Sequence, residues 1–289
     1  MGVVSKWRHL ARMAAAGWWN DRAMSLGAAI SFFTLFSLAP MLLVAISVAG
    51  LVYGREAAQG AIVGELGGLL GEEAAVAIEA LIASASDFGS GVIGTTVGVV
   101  LFLVVATSAL VEIEDDLNLI WKVRTTSTGL AGVVRTRLLS LSVVAGIGFV
   151  LLISLVIDAG VAAVGTYLEA SFSGTLTLLL LVNGLTSFLF ATLLFAMIYK
   201  LLPAVALTWR DVWTGAIVTA LLFTAGKVLI GVYIGRSGIA SAYGAAASII
   251  TIMLWIYYSS LILLFGAEFT KAYAETKGSH ARSHADRGA

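Results

Sequence analysis

The sequence predicts an all-α fold: a polytopic bundle of six transmembrane helices, with an N-terminal interfacial amphipathic helix and a short helical extracytoplasmic loop. Three observations carry this. First, the 289 residues are 60% hydrophobic and only 12% charged, with mean hydropathy +1.00, where a soluble domain is about 45–50% apolar and about 25% charged. Too little polar surface is left to keep a globule in water, and a disordered chain needs far less hydrophobicity. Second, six apolar runs are each long enough to cross a hydrocarbon core about 30 Å thick. Third, the basic residues crowd into alternate connections between those runs. A net charge of zero gives no basic field for nucleic acid, and the absence of cysteine excludes disulfides, thiol catalysis and cysteine-based metal sites.

Residues 1–29 form the N-terminal segment. Trp7, Leu10, Ala11, Ala14 and Trp18 share one helical face there, with Arg8 and Arg12 beside it. That pattern suits a helix lying in the headgroup layer, and equally one packed against the bundle. The transmembrane domain, 30–270, follows. Span one, 30–52, contains Pro40, which lacks an N–H and is expected to kink the helix. The carbonyls it frees would line a cavity or bond Ser37 or Ser47. The loop 53–90 is expected to hold one or two short helices resting on the outer face or capping the bundle, interrupted at Gly64, Gly67, Gly68 and Gly71. Span two is 91–111. Span three, 138–163, carries Asp158. Span four, 177–199, carries Asn183. Span five, 212–234, carries Lys227. Span six, 244–267, ends at Glu268. The runs are too long and too uniformly apolar for barrel strands, and backbone in lipid must bond within its own segment, so they are helices. Residues 271–289 read as a disordered cytoplasmic tail.

Fourteen of the seventeen Lys and Arg lie before span one, between two and three, between four and five, or after six. Only Arg55 and Arg236 lie in the opposite connections. Both termini are therefore expected in the cytoplasm. The polar, basic start and the length of span one do not suit a cleavable signal.

Several stretches resemble a known family. They are SFFTLFSLAPMLLV from Ser31, IEDDLNLIWKVR from Ile113, LPAVALTWRDVWTGA from Leu202, Gly226-Lys227 with Tyr233, AYGAAASII, and WIYYSSLILLFGAEFT from Trp255. Together they resemble the YihY/virulence factor BrkB family of inner-membrane proteins, across about residues 18–276. Ala247 stands where that family favours glycine. The resemblance implies a six-span helical membrane protein of unsettled activity. Part of the family bears an old label, ribonuclease BN. The residues here argue against it: the three histidines are His9, His280 and His284, and no HxHxDH or HExxH pattern occurs.

Ionisable groups inside the membrane are costly and mark function by default. Asp158 and Lys227 come at similar depth in the outer half, so they are candidates for a pair; fixing of helix register, or snorkelling by Lys227, is the plainer reading. Glu268 is either solvated or an anchor for Arg22, Lys200 or Arg210. Glu112, Glu114, Asp115 and Asp116 are either a solvated loop bridged to Lys122, Arg124, Arg135 and Arg137, or a gate or proton relay. Asn118 and Asn183 are further polar candidates. The spacings Gly94/Gly98, Gly231/Gly235 and Gly244/Ser248 allow close helix packing, within the chain or between copies. These features point to a transporter or transport-assisting factor for a lipid or other amphiphile. The alternative is a non-catalytic scaffold for another envelope protein. Asp158, Lys227 and Glu268 do not share a depth, so no enzyme is expected. Neither is a cofactor, a metal or a nucleic-acid partner; the expected partners are membrane lipids, with a homo-oligomer or an envelope protein as further possibilities.

Overall fold

The computed structural model describes residues 3–70, 75–76, 78–80, 82, 92–123, 175–236 and 247–278. Among them the chain is all-helical, with no strands. The helices are α1 (Val3–Asn20), α2 (Ala23–Tyr53), α3 (Arg55–Leu70), α4 (Val92–Ile120), α5 (Thr175–Leu201), α6 (Trp209–Arg236) and α7 (Ala247–Thr276). Helix α7 is central and touches α1, α2 and α6; α4 packs on α2, and α5 on α6.

Hydropathy locates the apolar middle of each helix but not its ends. Helix α4 continues nine residues past the expected boundary at 111, so the acidic cluster is helical. It stops in a Schellman turn. Val123 N–H bonds Asn118 C=O at 2.9 Å, Lys122 N–H bonds Leu119 C=O at 3.0 Å, and Lys122 takes the left-handed conformation at φ 55°. Helix α2 runs from Ala23 to Tyr53 with Pro40 inside it. The Ser37 hydroxyl donates to Thr34 C=O at 3.2 Å. Glycine proves a weaker breaker than expected: α3 runs unbroken through Gly64, Gly67 and Gly68. Each costs about 1 kcal/mol against alanine, which packing offsets. Gly54, at φ 83°, turns the chain, and α3 comes back against α2. Ala58, Ile62 and Val63 join Leu43 and Ile46 of α2, Ile252 of α7, and Ile78 and Ile82 in one core.

The second core lies at the opposite end. Ala23 and Ile30 of α2 meet Leu117 and Ile120 of α4, Tyr199 of α5, Val212 and Ala216 of α6, and Leu264 and Ala267 of α7. The start of α2, the end of α4, the end of α5, the start of α6 and the end of α7 therefore gather at one pole.

Helix α1 does not present its apolar face to lipid. Leu10 and Ala14 are buried against Phe269, Ala272 and Tyr273 of α7. Trp7 stacks on Phe269 with centroids 6.0 Å apart, and Trp18 Nε1 donates to Leu261 C=O at 3.2 Å. The same residues that would face lipid find a protein groove.

Among the described residues, two helices are long and apolar enough to cross a membrane, Gly184–Leu201 and Ile249–Thr276, with only 28% and 39% of their residues buried within the molecule. On α5 the remaining face is apolar and open, as at Leu185 and Leu189, whereas α7 exposes Ile249 near its start and is otherwise mostly buried or half-buried. A soluble core helix hides such a face; a lipid-facing one shows it. Buried hydroxyls bond back along their own helices, for example Ser31 to Gly27 C=O at 2.7 Å and Thr192 to Phe188 C=O at 2.8 Å. That keeps polar atoms satisfied without water.

Candidate functional site

The candidate site is the pole where the second core lies, and a tight crossing of α6 and α7 organises it. A Cβ on Gly215 would overlap Thr270, one on Gly266 would overlap Thr219 and Tyr199, and one on Gly226 would overlap Tyr258. Glycine on each helix thus receives a side chain from the other, and the backbones approach closely. Tyr199, wholly buried on α5, closes the knot. Its hydroxyl lies 2.9 Å from Thr219 Oγ1 and donates to Leu263 C=O at 2.8 Å.

Around this knot stand buried carboxyls. Glu268 is only 3% exposed. It packs so closely on α1 that a Cβ on Gly17 would lie 2.7 Å from its Cδ. Its cation is Lys271, with Nζ 3.8 Å from Oε2. The carboxylates of Asp21 and Glu275 are its other charged neighbours. Oε1 finds no hydrogen-bond partner among the described residues. The expectation of a solvated Glu268, or of an anchor for Arg22, Lys200 or Arg210, is therefore corrected: docking of α1 covers Glu268 first.

Asp116 is also buried, 4% exposed, and its Oδ2 has no partner among the described residues. Burial, then the nearby Glu112 and Asp115, push its pKa up to about 7. Burial likewise raises Glu112, Glu114 and Asp115. Among the described residues no cation pairs with these four, and Arg124, Arg135 and Arg137 lie outside them. Asn118 is structural on one side, accepting Ala204 N–H at 2.8 Å through Oδ1, which ties the end of α4 to the α5–α6 connection. Its Nδ2 has no partner among the described residues. Lys200 donates to Leu207 C=O and lies 5.6 Å from the Trp209 ring centroid. Thr208 donates to Asp211 Oδ2 at 2.7 Å at the start of α6. Among the described residues no three His, Cys, Asp or Glu side chains are arranged to hold a metal ion.

Other expected residues stand apart. Lys227 is exposed on α6, away from this pole. Asp158 lies outside the described residues, as does the proposed pair. Asn183 is on α5 and Pro40 on α2, but their side chains are outside the described set, as are the surroundings of Gly94, Gly98, Gly231, Gly235 and Gly244. Sequence reasoning missed Gly17, Tyr199 and the α6–α7 interlock. Gly215/Thr219 and Gly266/Thr270 carried a signal, each being a small residue four positions from another.

Comparison with known proteins settles the family. The model of the family "Virulence factor BrkB" matches residues 14–289. The chain belongs to the virulence factor BrkB family. It is 32% identical over 270 residues to a UPF0761 membrane protein of Pseudomonas aeruginosa, covering 89% of this chain and 61% of that one. A UPF0761 membrane protein of Ralstonia nicotianae is 28% identical over 270 residues, covering 91% and 58%. One from Tolumonas auensis is 31% identical over 182 residues, covering 63% and 58%. The chain thus spans about three fifths of the length of these relatives. No solved structure matches it. Its BrkB membership, its membrane-protein relatives and its long apolar helices make it a membrane protein.

Proposed function

We propose that this BrkB-family chain is a non-enzymatic, six-span inner-membrane transporter or transport-assisting factor for a lipid or other amphiphile, both termini cytoplasmic. The topology has two supports. The gathered pole carries Arg22, Lys122, Lys200, Arg210, Lys271 and Lys277, while Arg55 and Arg236 belong to the other, as the positive-inside rule requires of a cytoplasmic face. The chain also leaves this pole at Val123 and begins α5 from the other at Thr175, and the interval contains the apolar run 138–163.

The observation that carries the function is the burial of Glu268 and Asp116 at this pole, each with an oxygen lacking a hydrogen-bond partner among the described residues. Carboxyls so placed cost stability, and membrane proteins retain them where protons or ligands are handled. They would couple substrate movement to proton uptake and release. The test begins with lipid and metabolite profiling of a deletion strain. Flux of the species that changes is then measured in vesicles holding the purified protein under an imposed proton gradient. Glu268→Gln and Asp116→Asn should abolish gradient-driven flux, and Asp158→Asn and Lys227→Met should impair it. If flux is absent, or indifferent to all four changes, the transport reading fails and capture of an envelope partner replaces it.

A further inference from the structure

A surface groove of about 270 Å³ lies at the corner between α1 and α2, lined by Trp18, Trp19, Arg22, Ala23, Met24 and Ser25. No part of the transport reading uses it. Trp19 is 72% exposed, although it is one of the largest apolar side chains in the molecule. Arg22 is exposed as well, forms no ion pair among the described residues, and holds the left-handed conformation at φ 54°. A β-carbon in that conformation costs roughly 1–2 kcal/mol, so the corner keeps an arginine where glycine would be easier. The adjacent carboxylate, Asp21, lies near Glu268 and forms no ion pair with Arg22. No acidic residue and no side-chain cap occupies the first turn of α2.

Below the groove the exposed face continues along α2 through Ser25, Ala28, Phe32 and Phe36, spaced three or four residues apart on one side of the helix. Phe32 and Phe36 touch, with centroids 4.7 Å apart. From Ser25 to Phe36 this strip runs about 17 Å at 1.5 Å per residue, comparable with a fatty-acyl chain. A cation sharing a groove with two tryptophans, above an apolar strip of that length, matches an amphiphile with an anionic head.

The geometry points to a seat for one anionic phospholipid: its phosphate against Arg22 and Ser25, its glycerol between Trp18 and Trp19, and one acyl chain along Phe32 and Phe36. A transporter or a scaffold could hold such a lipid, so the inference stands or falls separately from the transport reading.

The test is native mass spectrometry of the full chain in detergent, offered equal concentrations of dioleoylphosphatidylglycerol and dioleoylphosphatidylcholine. The wild type should retain one phosphatidylglycerol, at least fivefold over phosphatidylcholine. Millimolar inorganic phosphate should not displace it, because the acyl contacts are absent from the free ion. Arg22→Gly removes the charge from a conformation that glycine favours. Ser25→Glu adds a carboxylate to a first turn that tolerates one. Retention should fall at least tenfold in either variant that keeps the wild-type melting temperature, while gradient-driven flux supplies the separate readout for transport. Equal retention of the two lipids, displacement by phosphate, or undiminished binding in a folded variant overturns the proposal.

Discussion

Gly266→Ala tests the idea that the pole is built on the α6–α7 interlock. The new methyl would fall where Thr219 Oγ1 and Tyr199 Oη now sit, with Thr219 Cβ 3.0 Å away. Neither neighbour has room to retreat: Tyr199 and Thr219 are fully buried, and the tyrosine ring also packs near Phe195 at 6.4 Å. Either the helices part or Tyr199 swings out and gives up its bonds to Thr219 and Leu263. Each bond contributes about 0.6–1 kcal/mol inside a membrane bundle. Overpacking adds about 1–3 kcal/mol. Exchanging glycine for alanine in a helix returns up to about 1 kcal/mol. The net loss is about 1–5 kcal/mol, to be read from reversible unfolding in mixed micelles titrated with denaturing detergent. Thr219→Ala in the same chain removes the obstructing hydroxyl, so the double variant should be more stable than the sum of the single effects, by about 1 kcal/mol or more. A single-variant loss below about 0.5 kcal/mol, or strict additivity, would refute the interlock.

Three further outcomes follow from local geometry. Lys122→Gly should stabilise the protein by about 0.5–1 kcal/mol in the same assay, since glycine releases the left-handed strain at the end of α4 while adding some unfolded-state entropy; a loss would count against the Schellman turn. The raised pKa of Asp116 means that the folded protein holds this proton more tightly than the unfolded chain does. Its contribution is therefore fully present below the ordinary carboxyl value of 3.8 and is lost as pH rises through about 7. Melting temperature should fall across that window, and Asp116→Asn should flatten the slope. Gly17→Ala should push α1 off Glu268, and tryptic cleavage at Arg8 and Arg12 should become several-fold faster at unchanged core stability. Wild-type cleavage rates would leave α1 without the close seat described for it.

The helical character of the apolar stretches was legible in the sequence because it depends on a sum over many residues. Long apolar runs fall within α2, α4, α5, α6 and α7, and two of these helices are long and apolar enough to cross a membrane. The ends were not legible, since hydropathy falls at Glu112 while hydrogen bonding carries α4 to Ile120. The amphipathic face of α1 was legible too, but not what it covers: Leu10, Ala14 and Trp18 suit a bilayer surface and the flank of α7 alike, and only tertiary packing chooses between them. That choice decides the chemistry of Glu268. A carboxyl at the end of an apolar span is cheap in water and expensive under a docked helix, so no count of local residues could have told a solvated Glu268 from a buried one.

The same reasoning bears on why the pole holds its shape. Asn118 and Tyr199 make hydrogen bonds that join separate helices or connections, Tyr199 through Thr219 and Leu263, and every glycine at the α6–α7 crossing admits a polar side chain from the facing helix. The crossing is thus held by shape and hydrogen bonds, which have discrete arrangements, and not by grease alone, which lipid would satisfy equally well. Asp116 and Glu268 stand beside that rigid frame on α4 and α7, and Glu268 is covered by α1, a helix attached through a single apolar face. Protonation at Glu268 would therefore be felt first by α1, the helix that covers it, while the α6–α7 frame stays fixed. That order is testable: hydrogen exchange of α1 should depend on pH, and that of the paired segments of α6 and α7 should not.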